Sequence, residues 1–318
     1  MEHDRRADYT ARIHRVMDHV ERCLDQPLQL DELARVAHFS PFHFHRIFSA
    51  MTGETLQRFV ARLRVEKAAN MLLLYPGLPV TAVALDCGFS GSAAFARAFK
   101  GHFGVSASAW RKLRKSERKI RQTQRKQGEE GQLGGTYPPD AGAGMDPARR
   151  RTAMKPVEAT NVRIENTDPM TVAYVRHVGP YAGDAGLFER LIGQLCRWAG
   201  PRNLLGPQAK MLSIYHDNPE VTDEDKLRVS MCLTVPPDTR AEGEVGVMEV
   251  AGGTCAFAAF EIAVDQYGAA WQWLYGTWLP ASGYEPDDCP CYELYTSAPG
   301  DNAEGMHRFE ICLPVRPA

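Results

Sequence analysis

The spacing of apolar residues divides the chain into a helical part and a strand-rich part. From residue 8 to about residue 126, apolar positions recur at helical spacing, and the longest such stretch runs from Leu56 to Leu74. From Val157 onward, short runs that alternate between apolar and polar residues flank two longer helical patterns. The pattern predicts a multidomain protein in which an all-α domain precedes an α+β domain.

The helical part contains an internal repeat at an offset of 50 residues, which becomes 51 after the turn in each copy. Each copy predicts a short helix, a turn at Phe39-Ser40 or Phe89-Ser90, and a second helix, which together form a helix-turn-helix unit. Serine is a good N-cap, so these serines are expected to start the second helices. Gly88 suits a left-handed turn position, where the first copy has His38.

The strand-rich part has its own repeat, at an offset of 80 residues. Trp198 matches Trp278, the run 213–219 matches 293–299, and the run 228–235 matches 308–315. Each copy predicts the order strand, helix, strand, strand. Two such copies would form an α+β domain with pseudo-twofold symmetry and a groove where the halves meet.

A segment rich in glycine, proline and polar residues separates the two parts. Such a composition has little to bury and many residues that interrupt regular structure. We therefore predict a flexible linker at 127–155, a helical domain at 8–126 and a second domain at 156–318.

The net charge of −2 hides opposite charges on the two parts. Residues 1–130 carry 22 lysines and arginines against 14 aspartates and glutamates, a net charge of +8, whereas the remainder carries 15 against 25, a net charge of −10. The basic part is the candidate for nucleic-acid binding, and the acidic part for a different partner. Nine basic residues between 111 and 126 either add salt-sensitive affinity for DNA or form a solvated helix tail.

Several classes of protein are disfavoured by composition. No uncharged apolar run reaches 18 residues, so no membrane span is expected, and the N-terminus lacks the apolar core of a signal peptide, so a cytoplasmic location is expected. Eight cysteines without a paired CxxC framework predict reduced, packed thiols. Cys289-Pro290-Cys291 is the only close pair, and two thiols are too few for a structural zinc site, so neither a metal nor a cofactor is expected.

Motif residues in the helical part point to a known family. In the second copy they are Ala84, Gly88-Phe89-Ser90, Phe95, Arg97, Phe99-Lys100, Gly104 and Trp110-Arg111. In the first copy they are Leu33-Ala34, Ser40, Arg46, Phe48 and Gly53. On these residues the chain resembles the AraC/XylS family of transcription regulators over about residues 10–113. The resemblance implies that the domain at 8–126 binds double-stranded promoter DNA, with RNA polymerase as a further candidate partner. Ser106-Ala107-Ser108 departs from the family, which has Ser or Thr followed by Pro, so the start of the last helix is open.

The second helix of each unit is expected to carry hydrogen-bonding or short side chains on the face that contacts DNA. The candidate DNA-binding residues are Ser40, Phe42, His43, Arg46, Ser90, Ser92, Ala93, Arg97 and Lys100. Arg46 and Arg97 either read guanine or hold phosphate, or they pack against their own domain. His43 is either a DNA contact or a solvated histidine.

Four runs in the acidic part, 172–181, 215–219, 291–295 and 309–315, carry a second resemblance. On them, residues 157–316 resemble the GyrI-like effector-binding domain. The resemblance implies an aromatic groove with a buried carboxylate that binds bulky cationic or amphipathic compounds.

The 80-residue repeat helps to choose that carboxylate, because positions that differ between the halves are better candidates for function. Ser213 becomes Glu293, and Ser230 becomes Glu310. Glu293 stands between tyrosines, whereas Glu310 alternates with apolar residues and could face solvent. A partly buried carboxylate among aromatic rings suits a cation. The candidate ligand-binding residues are Glu293, Tyr174, Tyr181, Tyr215, Trp271, Tyr275, Tyr295 and Glu310. Trp271 and Tyr275 are either core or groove wall, and Tyr174, Tyr181 and Tyr215 are either groove residues or ordinary packing.

These observations predict a DNA-binding transcription regulator, and not an enzyme, whose second domain senses a small lipophilic or cationic molecule. Two alternatives remain open. The second domain could hydrolyse a small molecule, with Glu293 as base or nucleophile beside a tyrosine. It could also be a module that docks another protein.

Overall fold

The computed structural model of the chain describes residues 2–114, 157–219, 221–287, 289–296 and 306–317, without the side chains of residues 2–6, 42 and 264. The chain divides into two units, Met1–Gly135 and Thr136–Ala318. The predicted linker at 127–155 and the basic residues from 115 to 126 lie outside the described residues, so the predicted domain boundaries stay predictions. Among the helices that the structure describes, none has the length and hydropathy to cross a bilayer.

The first unit is helical, as the apolar spacing predicts. Its helices are α1 (Glu2–Arg22), α2 (Leu30–Val36), α3 (Pro41–Thr52), α4 (Leu56–Leu74), α5 (Val80–Asp86), α6 (Ser92–Phe103) and α7 (107–114). Helices α2 and α3 form the first helix-turn-helix unit, α5 and α6 form the second, and α4 joins them. The predicted all-α tandem architecture is confirmed.

Each helix-turn-helix unit has a core of edge-to-face aromatic pairs. In the first, Phe48 lies between Phe44 and Phe59, with ring centroids 5.9 and 5.4 Å away. In the second, Phe99 packs 5.3 Å from Phe95 and 6.1 Å from Trp110. All five phenylalanines are at most 1% exposed, and burying each side chain contributes about 1.5–3 kcal/mol.

The turns of the two units differ in the way that the repeat indicates. His38 and Gly88 both have positive φ, 52° and 77°. Ser40 is the N-cap residue of α3, but its side chain makes no capping hydrogen bond. The prediction that Ser90 caps α6 is wrong, because the additional residue in the second turn makes Gly91 the N-cap. Helix α7 starts without the proline typical of the family, because the Ser106 hydroxyl accepts a hydrogen bond from the Ala109 amide at 3.2 Å.

The second unit is an antiparallel sheet with helices. Its strands are β1 (Asn161–Thr167), β2 (Met170–Val178), β3 (Met211–Tyr215), β4 (Arg228–Thr234), β5 (Gly246–Val250), β6 (Gly253–Ala263), β7 (Tyr284–Pro286), β8 (Cys291–Tyr295) and β9 (Met306–Pro317). Its helices are α8 (Ala185–Ala199), α9 (Tyr267–Trp273) and α10 (Leu279–Ala281), with a π-helical turn Leu274–Trp278 between α9 and α10. Short 3₁₀ turns lie at Gly200–Arg202, Glu224–Lys226 and Val264–Gln266.

The sheet has the pseudo-twofold symmetry that the 80-residue repeat predicts. The strand order is β1-β6-β9-β8-β3-β4-β2-β5, and β7 pairs with β9. This order is symmetric about the β8–β3 pair, with β9 matching β4 and β6 matching β2. Each half therefore contains the predicted strand, helix, strand, strand order.

The two faces of the sheet carry separate layers of buried side chains. Helix α8 packs on β2 and β4, and helix α9 packs on β6 and β9. Tyr215 and Tyr295 contact the buried residues under both helices, so both helices lie on one face of the sheet. The opposite face carries Val172, Tyr174, Leu212, Ile214, Cys232, Cys255, Phe257, Tyr292 and Cys312. All eight cysteines are free thiols, and four of them are buried.

Candidate functional site

The pseudo-twofold axis passes between Ser213 and Glu293. These two residues are counterparts in the repeat, and they are also directly paired across β3 and β8. Residues on a twofold axis face their own counterparts, and like charges placed directly opposite destabilise a strand pair. A serine in one half and a glutamate in the other leave a single carboxylate at the centre of the domain.

Three donors surround that carboxylate. Glu293 is 2% exposed. The Trp271 indole Nε1 donates to its Oε1 at 2.7 Å, and the hydroxyls of Tyr215 and Tyr295 donate to its Oε2 at 2.9 and 3.1 Å. The Tyr295 hydroxyl also lies 2.9 Å from the Ser213 hydroxyl. Each tyrosine of the symmetric pair therefore reaches the axial residue of the other half.

Burial shifts the proton affinities in this cluster. Burial raises the pKa of Glu293 above its ordinary value, and the hydrogen bonds from Trp271, Tyr215 and Tyr295 oppose that rise. Burial, reinforced by the nearby carboxylate, raises the pKa of Tyr215 and Tyr295 well above that of a free tyrosine. Both tyrosines therefore stay neutral donors, and Glu293 is the one acid that they share.

Aromatic rings extend from the carboxylate in two directions. The Tyr215 ring is 5.6 Å from Tyr181 and lies edge-on to Trp271 at 5.8 Å. Tyr275 stacks on Trp271 at 6.1 Å, and its hydroxyl lies 3.1 Å from the Cys291 thiol. The result is an aromatic enclosure around one buried acid.

A π-helical turn distinguishes the helix of the second half from that of the first. Helix α8 is regular for 15 residues, whereas α9 passes into the π-helical turn directly after Trp273. Such turns are rare and are frequent at functional sites. This one begins three residues after Trp271 and contains Tyr275, and these are the two aromatic residues of the enclosure that replace leucines of the first half.

The structure brings six of the eight predicted ligand-binding residues together and separates two. Those together are Glu293, Tyr181, Tyr215, Trp271, Tyr275 and Tyr295. Tyr174 lies on the opposite face of the sheet, against Gly246, where an added Cβ would stand 2.3 Å from the tyrosine ring. Glu310 is held by Arg163, whose Nη2 donates to it at 2.9 Å and whose guanidinium covers the Phe257 ring of that same face. Tyr174 and Glu310 therefore do not belong to the enclosure.

Two residues near the carboxylate were missed by the sequence argument. Ser213 appeared only as the counterpart of Glu293, although a position on the axis must contact its own counterpart. Tyr267 precedes Trp271 by four residues, which is the spacing of one helix face. Burial, together with the Glu293 charge, raises the pKa of its hydroxyl. Its hydroxyl lies 2.9 Å from His307 Nδ1.

The predicted DNA-binding residues lie on exposed surfaces of the first unit. Ser40, His43 and Arg46 are exposed at the start of α3 and along it. Ser90, Ser92, Ala93, Arg97 and Lys100 are exposed before α6 and along it. The side chain of Phe42 lies outside the described residues. Arg46 and Arg97 are exposed, so neither belongs to the hydrophobic core of the domain.

No metal centre is evident in the part of the chain that the structure describes, where no three His, Cys, Asp or Glu side chains are grouped closely enough to hold an ion. Cys289 is exposed, and burial raises the pKa of the Cys291 thiol to about 11. These two thiols therefore differ in both exposure and chemistry.

Comparisons with known proteins agree with this architecture. A model described as "GyrI-like small molecule binding domain" matches residues 160–316, and one described as "Helix-turn-helix domain" matches residues 33–113. A "DNA gyrase inhibitor" from Edwardsiella piscicida is 33% identical over 161 residues, which cover 49% of this chain and 97% of that protein. The chain belongs to the GyrI-like family. A "DNA gyrase inhibitor" from Escherichia coli K12 is 29% identical to the GyrI-like part, covering 49% of this chain and 98% of that protein.

Two solved structures each match part of the chain. The C-terminal domain of EcmrR matches with 21% identity and a TM-score of 0.42, covering 50% of this chain and 98% of that one. The DNA-binding domain of AdpA in complex with a target DNA matches with 27% identity and a TM-score of 0.32, covering 33% of this chain and 95% of that one.

Both sequence resemblances are confirmed. An AraC-type helix-turn-helix domain precedes a GyrI-like small molecule binding domain in one chain. The protein is therefore a DNA-binding transcription regulator that senses a small molecule.

Proposed function

We propose that this regulator senses a lipophilic cation, which binds in the aromatic enclosure beside Glu293. The observation that supports this most directly is one buried carboxylate with no basic side chain among its three hydrogen-bond donors. An anion held in a low-dielectric enclosure attracts a cation more strongly than it would in water. Aromatic faces add cation–π attraction of about 0.5–2 kcal/mol per favourable ring.

The arrangement favours charge recognition over a direct hydrogen bond to the ligand. Both carboxylate oxygens already accept hydrogen bonds from the indole and the two phenols. These three bonds occupy most of the roughly four acceptor sites of a carboxylate, and a ligand amine that displaced one donor would leave that group in need of a new partner. A lipophilic cation, whose charge is covered by apolar groups, can instead pack against the aromatic rings. It is then attracted to the carboxylate without a direct hydrogen bond.

The DNA-binding part of the proposal assigns α3 and α6 as the helices that contact promoter DNA. Their exposed His43, Arg46, Arg97 and Lys100 side chains supply hydrogen bonds and positive charge. We assign no catalytic step to Glu293, because three hydrogen bonds occupy most of its roughly four acceptor sites.

Calorimetry of the full chain with tetraphenylphosphonium tests the ligand class, and selection of bound sites from random double-stranded DNA, with and without this cation, tests the coupling. We expect binding of the cation and a changed affinity for the selected DNA. Hydrolysis of reactive esters by the full chain that is lost in Glu293→Gln would favour an enzyme. Inhibition of purified gyrase without any cation binding would favour the protein-docking alternative, since the curated relatives are called DNA gyrase inhibitors. In vitro transcription from a promoter with the selected site tests RNA polymerase as a partner.

A further inference from the structure

One guanidinium in the first unit joins three separate elements. Arg64 lies near the middle of α4, the helix that links the two helix-turn-helix units. Its Nε donates to the Leu24 carbonyl at 2.9 Å, and its Nη2 donates to the Gln26 carbonyl at 2.7 Å. Both carbonyls lie between α1 and α2, where the chain enters the first helix-turn-helix unit. Hydrogen bonds from a charged donor are stronger than neutral ones, so Arg64 ties α4 firmly to that entry.

The turn of the second helix-turn-helix unit packs against the same place. A Cβ on Gly88 would stand 2.4 Å from the Leu24 carbonyl oxygen and 3.0 Å from both Nε and Cζ of Arg64. The backbone of the second turn therefore lies directly on the guanidinium and on the carbonyl that the guanidinium binds. Backbone groups cannot move aside as a flexible side chain can. The contact between Gly88 and the Leu24 carbonyl therefore allows one relative position of the two helix-turn-helix units.

Turn geometry alone does not account for this close approach. The equivalent residue of the first unit, His38, adopts positive φ with a side chain, and Gly104 has a φ of 72° with nothing within 4 Å of an added Cβ. Gly88 differs from both because its space is taken by the Leu24 carbonyl, in the α1–α2 connection that leads into the first helix-turn-helix unit, and by Arg64. The contact therefore belongs to the place where the second helix-turn-helix unit meets α4 and the α1–α2 connection.

We propose that Arg64 is a positioning residue that sets the separation of α3 and α6, and thereby the number of base pairs between the two half-sites that the regulator prefers. This inference rests on the proposed binding of DNA by α3 and α6. One base pair advances the duplex by about 3.4 Å and about 35°. A modest change in the angle between the two helix-turn-helix units therefore presents α6 to a different base pair.

The test measures spacing preference instead of affinity alone. The wild-type chain first selects a site from random double-stranded DNA, and the site is resynthesised with one or two base pairs added or removed between its halves. The Kd for each DNA is measured by fluorescence anisotropy, and the readout is the ratio of the Kd on altered spacing to that on the original spacing. This ratio does not depend on the fraction of protein that is folded.

Arg64→Lys keeps the charge but loses the planar fork that spans two carbonyls. We expect the wild type to lose roughly tenfold in affinity per added base pair, and Arg64→Lys to lose less than about threefold. Arg111→Lys is the matched control, because Arg111 donates to the Leu78 carbonyl at 2.7 Å and does not contact the first unit's entry. It should keep the wild-type ratio.

An unchanged ratio in Arg64→Lys would overturn the inference, even if that variant bound every DNA more weakly. A wild-type chain without spacing preference would overturn it as well. Failure of the wild type to select any site would instead refute DNA binding through α3 and α6, and the positioning role with it.

Discussion

Replacing Glu293 with glutamine removes one buried charge while it preserves the size of the side chain. The Trp271 indole can only donate, so it would hold the amide oxygen, and the amide nitrogen would face the hydroxyls of Tyr215 and Tyr295, which can accept. Residue 293 therefore keeps three hydrogen bonds. Because the variant also avoids burying a charge, its free energy of unfolding at pH 7 should be unchanged or higher by about 1 kcal/mol.

The loss in binding can be estimated from the geometry. A cation that touches the outside of the tyrosine hydroxyls, which lie 2.9 and 3.1 Å from the carboxylate, would be about 6 Å from the negative charge. At an effective dielectric constant of about 20, that attraction is about 3 kcal/mol. Glu293→Gln should therefore weaken binding of a monovalent cation by about 100-fold.

Isothermal titration calorimetry of both proteins with tetraphenylphosphonium measures this effect, and triphenylphosphine oxide serves as a neutral probe of similar shape. The neutral probe should bind the two proteins within about threefold of each other, since it has no net charge to lose. Equal binding of the cation to both proteins would refute the reasoning, and so would an equal loss for both probes.

The same carboxyl predicts a pH dependence with a definite sign. Burial raises the pKa of Glu293 in the folded protein above its unfolded value. The resulting contribution to stability is fully present below the unfolded pKa and is lost as the pH rises through the folded pKa. Cation affinity should change in the opposite direction and fall as acid protonates the carboxylate. Glu293→Gln should abolish both dependences, and a wild-type cation affinity that stays flat from neutral pH down to the acid limit of folding would contradict this.

Three further predictions use matched pairs or single surface changes. Trp271→Phe removes a donor from the buried carboxylate and should lower the free energy of unfolding by about 1–3 kcal/mol, whereas Trp198→Phe, whose indole nitrogen has no hydrogen-bond partner, should cost clearly less in the same urea titration. Gly88→Ala forces a Cβ to within 2.4 Å of the Leu24 carbonyl oxygen and should lower the free energy of unfolding by more than about 2 kcal/mol. Gly104→Ala meets open space and should lower it by about 1 kcal/mol. Similar losses of Tm in the two variants would argue against a close contact between Gly88 and the Leu24 carbonyl. Arg46→Gln should reduce the slope of log Kd against log salt by about 1 if this side chain contacts a phosphate, and an unchanged slope in anisotropy titrations would exclude that contact.

Much of this protein could be predicted from local patterns. Helical spacing and the two repeats predicted both domains, because an amphipathic period and a duplicated segment can both be recognised from the order of residues alone. Comparison of the repeat halves singled out Glu293, since Ser213 holds the matching position. The resulting prediction of a regulator with a small-molecule domain is confirmed, whereas the individual ligand and DNA contacts remain predictions.

The face of the sheet that each residue occupies was decided only by the tertiary structure. Strand β2 has five successive buried residues, from Val172 to Arg176, because side chains cover the sheet on both faces. A strand buried on both sides loses the alternation that marks its inner face. The sequence therefore placed Tyr174 with the ligand residues, although it lies on the other side of the sheet.

Long-range register and contacts were also beyond the sequence. The pairing of β3 with β8 places Ser213 opposite Glu293, and Arg64 reaches a carbonyl 40 residues away. The pattern along a chain records which residues are apolar and how they are spaced. Which distant groups then meet depends on how the elements pack, so the surroundings of the carboxylate and the joint between the two helix-turn-helix units exist only in the folded chain.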